Sequence, residues 1–127
     1  MRIPRRRTTR ETQVDLTLTH PGSGAFRMDL PCGFLAHMLE LLAFHGRFDL
    51  EGSARGDLQV DPHHLTEDLG IVLGEVLGEL ARSEPRERYG WCLLPMDGSL
   101  ARVALDLSGR GGLHWEGTFP VPSCGGF

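Results

Sequence analysis

The chain has 127 residues, of which 40% are apolar and 24% charged, and it carries a net charge of −4. This supports one domain with a hydrophobic core and excludes a chain that holds nucleic acid by bulk positive charge. No apolar run approaches the roughly 18 residues of a membrane span, and the basic start MRIPRRRTTR lacks the apolar segment of a secretory leader, so no membrane partner is expected.

The three cysteines, Cys32, Cys92 and Cys124, are odd in number, far apart and without a CxxC. They suit neither a disulfide scaffold nor a zinc knuckle and fit a reducing cytoplasm. All 13 basic residues are Arg, so lysine Schiff-base chemistry is absent from these residues. The run Arg5–Arg7 has no aromatic or motif around it, and a solvated arm before the first strand is expected.

In chain order, ETQVDLTLTH alternates Val14, Leu16 and Leu18 with polar neighbours, which predicts a half-buried strand. PGSG marks a turn, and Phe26, Met28 and Leu30 alternate after it, so these two strands are expected to form a hairpin. FLAHMLELLAFH then runs without Gly or Pro, with a broad apolar helical face and Gly46 as its C-cap. RFDLEGSARGDLQV reads as a third strand, with Phe48 and Leu50 on one side.

Asp61-Pro62 is a helix start, with Asp at the N-cap and Pro at the first position. Leu65, Leu69, Val72, Leu73, Val76, Leu77 and Leu80 follow at helical spacing until SEPRER breaks the helix. Gly70, Gly74 and Gly78 recur every four residues, and each costs a helix roughly 1 kcal/mol. Their spacing suggests a face approached by another backbone. GWCLLPMDG, LARVALDLSGR and LHWEGTF read as three more strands, and PVPSCGGF as loop. The predicted order is β-β-α-β-α-β-β-β, an α+β fold with an antiparallel sheet. No internal repeat is visible within the 127 residues.

The chemistry-bearing stretch is DPHHLTEDLG, residues 61–70. On a helix His63 and Glu67 stand four apart and share a face, while His64 is turned about 100° from His63. His63 with Glu67 suits one divalent metal, and His64 a second metal or a neighbouring subunit. Imidazole with carboxylate fits Mn, Fe, Zn or Ni. His37 and His45 stand two turns apart on the earlier helix, and the two helices are expected to pack together. Read alone, the same residues also fit surface histidines beside an acidic first turn, and His37 also fits a satisfied core histidine.

At this point the chain resembles the imidazoleglycerol-phosphate dehydratase family. RTTRET at residues 7–12 resembles the family's RxTxET. GFLAHMLELLAFHGRFDL resembles GFLDHML…HGxFDL, and GDLQVDPHHLTEDLGIVLG resembles GDLxxDxHHxxEDxGIxLG. ERYG, PMDGSLA and DLSGR complete six ordered blocks.

The resemblance implies dehydration of D-erythro-imidazole-glycerol phosphate to imidazole-acetol phosphate in histidine biosynthesis, with two Mn(II) ions or other divalent metals. It implies metal ligands at His37, His63, His64 and Glu67, and acid/base groups at Glu11 and Glu67. Substrate contacts are implied for Glu11, His37, His45, His63 and Glu67, with Arg88 and Arg110 on the phosphate. Guanidinium suits that last role because it donates in a fork.

It implies a ββαβα half of a tandem-repeat sandwich of sheet plus two helices. Residues 1–87 form the first unit and 88–127 the opening strands of a second, within a single domain. It further implies a homo-oligomer, a cage of 24 subunits in the family.

The chain departs from the family pattern in places. Ala36 stands where the family has an aspartate before its histidine, Gly98 replaces the acid of PMDE, and the loop SEPRE is unlike the family's form. The second HHxxE and the late lysine of the family have no counterpart among these residues. The alternative expectation is therefore a truncated or degenerate, non-catalytic subunit that binds metal weakly or co-assembles with a full-length partner.

Overall fold

The computed structural model describes residues 1–83 and 85–123; Glu84 of the helix-breaking segment, and Cys124 with the end of the PVPSCGGF loop, lie outside the described residues. The element order is β1 (Arg2–Thr8), β2 (Thr12–Thr19), β3 (Phe26–Asp29), α1 (Gly33–Gly46), β4 (Asp49–Gly56), α2 (His63–Ser83), β5 (Tyr89–Met96) and β6 (Ser99–Asp106). The fold is α+β, with a four-stranded sheet in the order β1-β2-β4-β3 and a separate two-stranded sheet of β5 and β6.

The basic segment expected as a solvated arm is instead the edge strand β1, paired antiparallel with β2 from Arg2↔Thr19 to Thr8↔Gln13. Only Ile3 supplies an apolar inward side chain, so hydrophobic alternation is missing from the sequence. Charge takes its place. Arg5 pairs with Glu75 and Glu79 of α2, and Arg7 with Asp68. Inward charges and Pro4 suit an edge strand.

The expected hairpin of β2 with the AFRMDL strand does not form. β2 pairs with β4, and β3 joins β4 in parallel, from Phe26↔Leu50 to Asp29↔Ser53, so the sheet is mixed. Parallel partners need a crossover, and α1 supplies it between β3 and β4. The third strand ends at Gly56, where residues 58–60 turn and the Val60 N–H donates to the Asp57 carbonyl at 2.8 Å. LHWEGTF is not a strand: no regular element follows β6 among the described residues.

The sheet turns Val14, Leu16, Leu18, Leu50 and Ala54 toward the helices, and all five are fully buried. They form one cluster with Ile3, with Leu39 and Ala43 of α1, and with Leu65, Leu69, Val72, Val76 and Leu80 of α2. The α2 stripe is as its periodicity predicts. Gly70 and Gly74 face open space, and Gly78 has the Arg82 side chain beside it, so no backbone closes on these glycines among the described residues.

α1 rests on β3 and β4, whereas α2 rests on β1, β2 and β4. The helices meet the sheet rather than packing chiefly on each other, which corrects the expected helix pair. Gly46 is the last helical residue; the left-handed cap is Arg47, at φ 52°. Glycine at 46 answers a packing need, because a Cβ there would strike the Phe48 ring. β5 and β6 turn at Asp97-Gly98, with Asp97 at φ 52°, and every residue of both strands is exposed.

Candidate active and metal-binding site

The first turn of α2 carries the histidine-carboxylate cluster. Asp61 caps it: its Oδ1 accepts the His63 N–H at 2.7 Å. The helical spacing then sets His63 Nε2 at 3.2 Å from Glu67 Oε2, both side chains exposed. They line an open cavity of about 560 Å³ with Asp61, Pro62 and Thr66.

His64 is not turned wholly away, since its ring centroid lies 5.0 Å from that of His63. Its Nδ1 is engaged by Asp57, at 3.1 Å from Oδ1 and 3.0 Å from Oδ2. That hydrogen bond raises the His64 pKa, partial burial opposes it, and the negative charges of Asp57, Glu11 and Asp61 raise it further. Glu11, in the β1–β2 turn, therefore acts electrostatically on His64 across 53 positions of sequence.

The donor set fits a divalent metal. An imidazole and a carboxylate are already presented together at His63 and Glu67, and His64 has one nitrogen engaged by a carboxylate, which leaves Nε2 for a ligand. His37 and His45 are exposed on α1, so His37 is not a core histidine. Among the described residues no group of three or more His, Cys, Asp or Glu gathers around one point. His37 is thus not brought to the α2 pair within one chain.

The two arginines lie elsewhere. Arg88 donates to both oxygens of Asp106, from Nε at 2.6 Å and from a terminal nitrogen at 3.1 Å. This raises the Arg88 pKa and holds the Asp106 carboxyl below its ordinary value. Arg110 lines a cavity of about 320 Å³ with Asp106, Ser108 and Arg82. Arg82 is 19 residues along α2 from His63, roughly 28 Å at 1.5 Å per residue. Within one chain the arginine end and the histidine end stand a helix length apart.

Sequence reasoning missed two groups. Asp57 grips His64 from the end of β4. Asp68 is buried, and it accepts from Thr12 Oγ1, from Arg7 Nε at 2.6 Å and, at 3.4 Å, from Thr9 Oγ1. The Thr12 hydrogen bond does most to lower the Asp68 pKa; burial opposes it, and Arg7 then adds to the lowering. A signal was present, because Asp68 stands three residues after Leu65, on the apolar stripe where a carboxylate needs a built partner.

Comparison with known proteins agrees across the chain. The family model for imidazoleglycerol-phosphate dehydratase matches residues 31–127. The imidazoleglycerol-phosphate dehydratase of Xanthobacter autotrophicus is 52% identical over 95% of this chain and 62% of its own length. That of Geobacillus kaustophilus is 44% identical over 95% of this chain and 63% of its own. A crystal structure of the Staphylococcus aureus enzyme superposes with a TM-score of 0.82 at 34% identity, covering all of this chain and 70% of that one. The chain thus spans less than two thirds of the length of these two sequence relatives. On the motif order, the fold and these matches, the chain belongs to the imidazoleglycerol-phosphate dehydratase family.

Proposed function

We propose that the protein dehydrates D-erythro-imidazole-glycerol phosphate to imidazole-acetol phosphate in the histidine pathway of the cytoplasm. The observation that carries this reading is the first turn of α2, where His63 pairs with Glu67, Asp57 orients His64, and the charge of Glu11 reaches the same imidazole.

Divalent metal, two Mn(II) ions in this reading, would be held by His63, His64 and Glu67 together with His37. The metal supplies a Lewis acid for the substrate's imidazole. The chain's own groups do the rest. Glu11 takes the carbon-bound proton and, with Glu67 as the second acid/base group, passes a proton to the departing hydroxyl, which leaves as water; general acid–base work of this kind contributes about 10²–10⁴-fold. His45 contacts the substrate, and Arg88 and Arg110 neutralise its phosphate. His37 and the arginines meet the His63 cluster when copies of the chain assemble as a homo-oligomer. In this reading residues 1–87 form one repeat unit and 88–127 open the next.

The test is formation of imidazole-acetol phosphate with Mn(II), with His63→Ala as control. Metal-dependent product that disappears in the control is the expected result. Absence of product at saturating Mn(II) overturns the reading for this chain and leaves a non-catalytic subunit that binds metal weakly.

A further inference from the structure

We propose that Asp68 is the positioning residue of this site: by gathering Thr12, Thr9 and Arg7, its carboxylate locks the turn that carries Glu11 onto the helical turn that carries His64 and Glu67. The inference rests on the dehydratase reading for the roles of those three residues and goes beyond it in naming what fixes their separation.

The Asp68 side chain is 10% exposed, and the residue has Leu65, Leu69 and Val72 as its neighbours along the helix stripe. A charge there is tolerated only with partners on every side. The partners all come from one short stretch of β1, the following turn and the first residue of β2. Arg7 Nε donates to Oδ1 at 2.6 Å, and Thr12 Oγ1 donates to Oδ2. The Thr9 hydroxyl oxygen lies 3.4 Å from Oδ2 and 3.0 Å from Thr12 Oγ1, so its single proton is within reach of either oxygen.

The oxygen of Thr9 also serves the turn itself. It accepts the Glu11 N–H at 3.2 Å and the Thr12 N–H at 3.0 Å, while the Thr9 N–H donates to the Thr12 carbonyl at 2.9 Å. Glu11 is therefore one hydrogen bond from a hydroxyl that touches the Asp68 carboxylate. Glu67 precedes Asp68 in the chain. A single buried group thus spans the two elements that must be held in register. A displacement near 1 Å in such a constellation costs about 10²-fold in rate.

Three variants separate positioning from mere stabilisation: Asp68→Asn, Thr12→Val, which removes only the hydroxyl, and Thr12→Ser, which restores it. Amide hydrogen exchange is read at Glu11 and Thr12 and compared with the β2–β4 ladder, alongside kcat and KM for imidazole-glycerol phosphate with Mn(II). In Asp68→Asn and Thr12→Val the Glu11 amide is expected to exchange about tenfold faster or more, as a local opening with the ladder unchanged. In the same two variants kcat falls about 10²-fold with KM within about twofold, and Thr12→Ser stays near wild type. An unchanged Glu11 amide in Thr12→Val overturns the proposal, and so does equal acceleration of turn and ladder. If the wild-type chain forms no product, the dehydratase reading fails separately, and exchange at Glu11 alone decides whether Asp68 anchors the turn.

Discussion

His64 Nδ1 sits 3.0 Å from Asp57 Oδ2 and 3.1 Å from Oδ1, so one carboxylate straddles one ring nitrogen. The Asp57 side chain is 17% exposed, against 39% for His64, so the gripping group is the better sheltered of the two. Such a contact selects the tautomer and the ring orientation, and it makes the free Nε2 a better electron donor.

Asp57→Ala is expected to weaken Mn(II) binding about 10- to 100-fold without unfolding the chain. Calorimetric titration of the metal-free chain measures this directly. Equal affinities for the variant and the wild type would remove Asp57 from the site.

Arg110 borders the small cavity at the C-terminal end of α2. If it meets the substrate phosphate, Arg110→Ala loses a charge-assisted hydrogen bond of about 1.5–3 kcal/mol. That corresponds to a rise in KM of about 10- to 100-fold. Steady-state kinetics with the substrate as the varied component tests it, and an unchanged KM would place the phosphate elsewhere.

Asp49 Oδ1 accepts the Ser23 N–H at 2.7 Å, the Ala25 N–H at 2.9 Å and the Ser23 hydroxyl at 3.0 Å. The Ala25 amide does most to lower its pKa, partial burial opposes it, and the Ser23 bonds add to the lowering. A carboxyl depressed in the folded state stabilises above its unfolded value of about 3.9, and that stabilisation is lost as pH falls through the lower folded value. The stability difference between wild type and Asp49→Asn should therefore shrink between about pH 5 and pH 3. Urea denaturation at several pH values reads it, and a difference constant across that range would contradict the linkage.

Leu69 is 1% exposed at the centre of the α2 stripe. Leu69→Ala is expected to cost about 2–5 kcal/mol through lost burial and the cavity left behind. Gly52 is a second sensitive point. It lies at φ +139°, and a Cβ there would strike the Asp15 carbonyl, so Gly52→Ala is expected to cost about 1–3 kcal/mol. Thermal unfolding followed by circular dichroism tests both. A midpoint within a degree of wild type for either would sink the corresponding argument.

α2 was legible because its information is local. Asp61 caps it, and Leu65, Leu69, Val72, Val76 and Leu80 recur with the helical period and form its buried face. The pairing of His63 with Glu67 follows from the same period. The motif order across the chain was legible too, and it carries the resemblance to the family.

Strand partnership was not legible. β1 offers one buried apolar residue and three consecutive arginines, and nothing local says that Arg5 and Arg7 will find Glu75, Glu79 and Asp68 more than 60 positions away. β2 and β3 are neighbours in sequence, yet β4 takes the place between them. The sequence by itself determined which segments are helix or strand where period and caps agree, and that His63 and Glu67 stand side by side on one helix face. Only the tertiary structure decided which strands touch, that Asp57 grips His64, and that Asp68 ties the Glu11 turn to α2. The reason is physical. Periodicity and capping act within a few residues, whereas hydrogen-bond and ion-pair partners drawn from distant segments exist only once the chain has closed around its core.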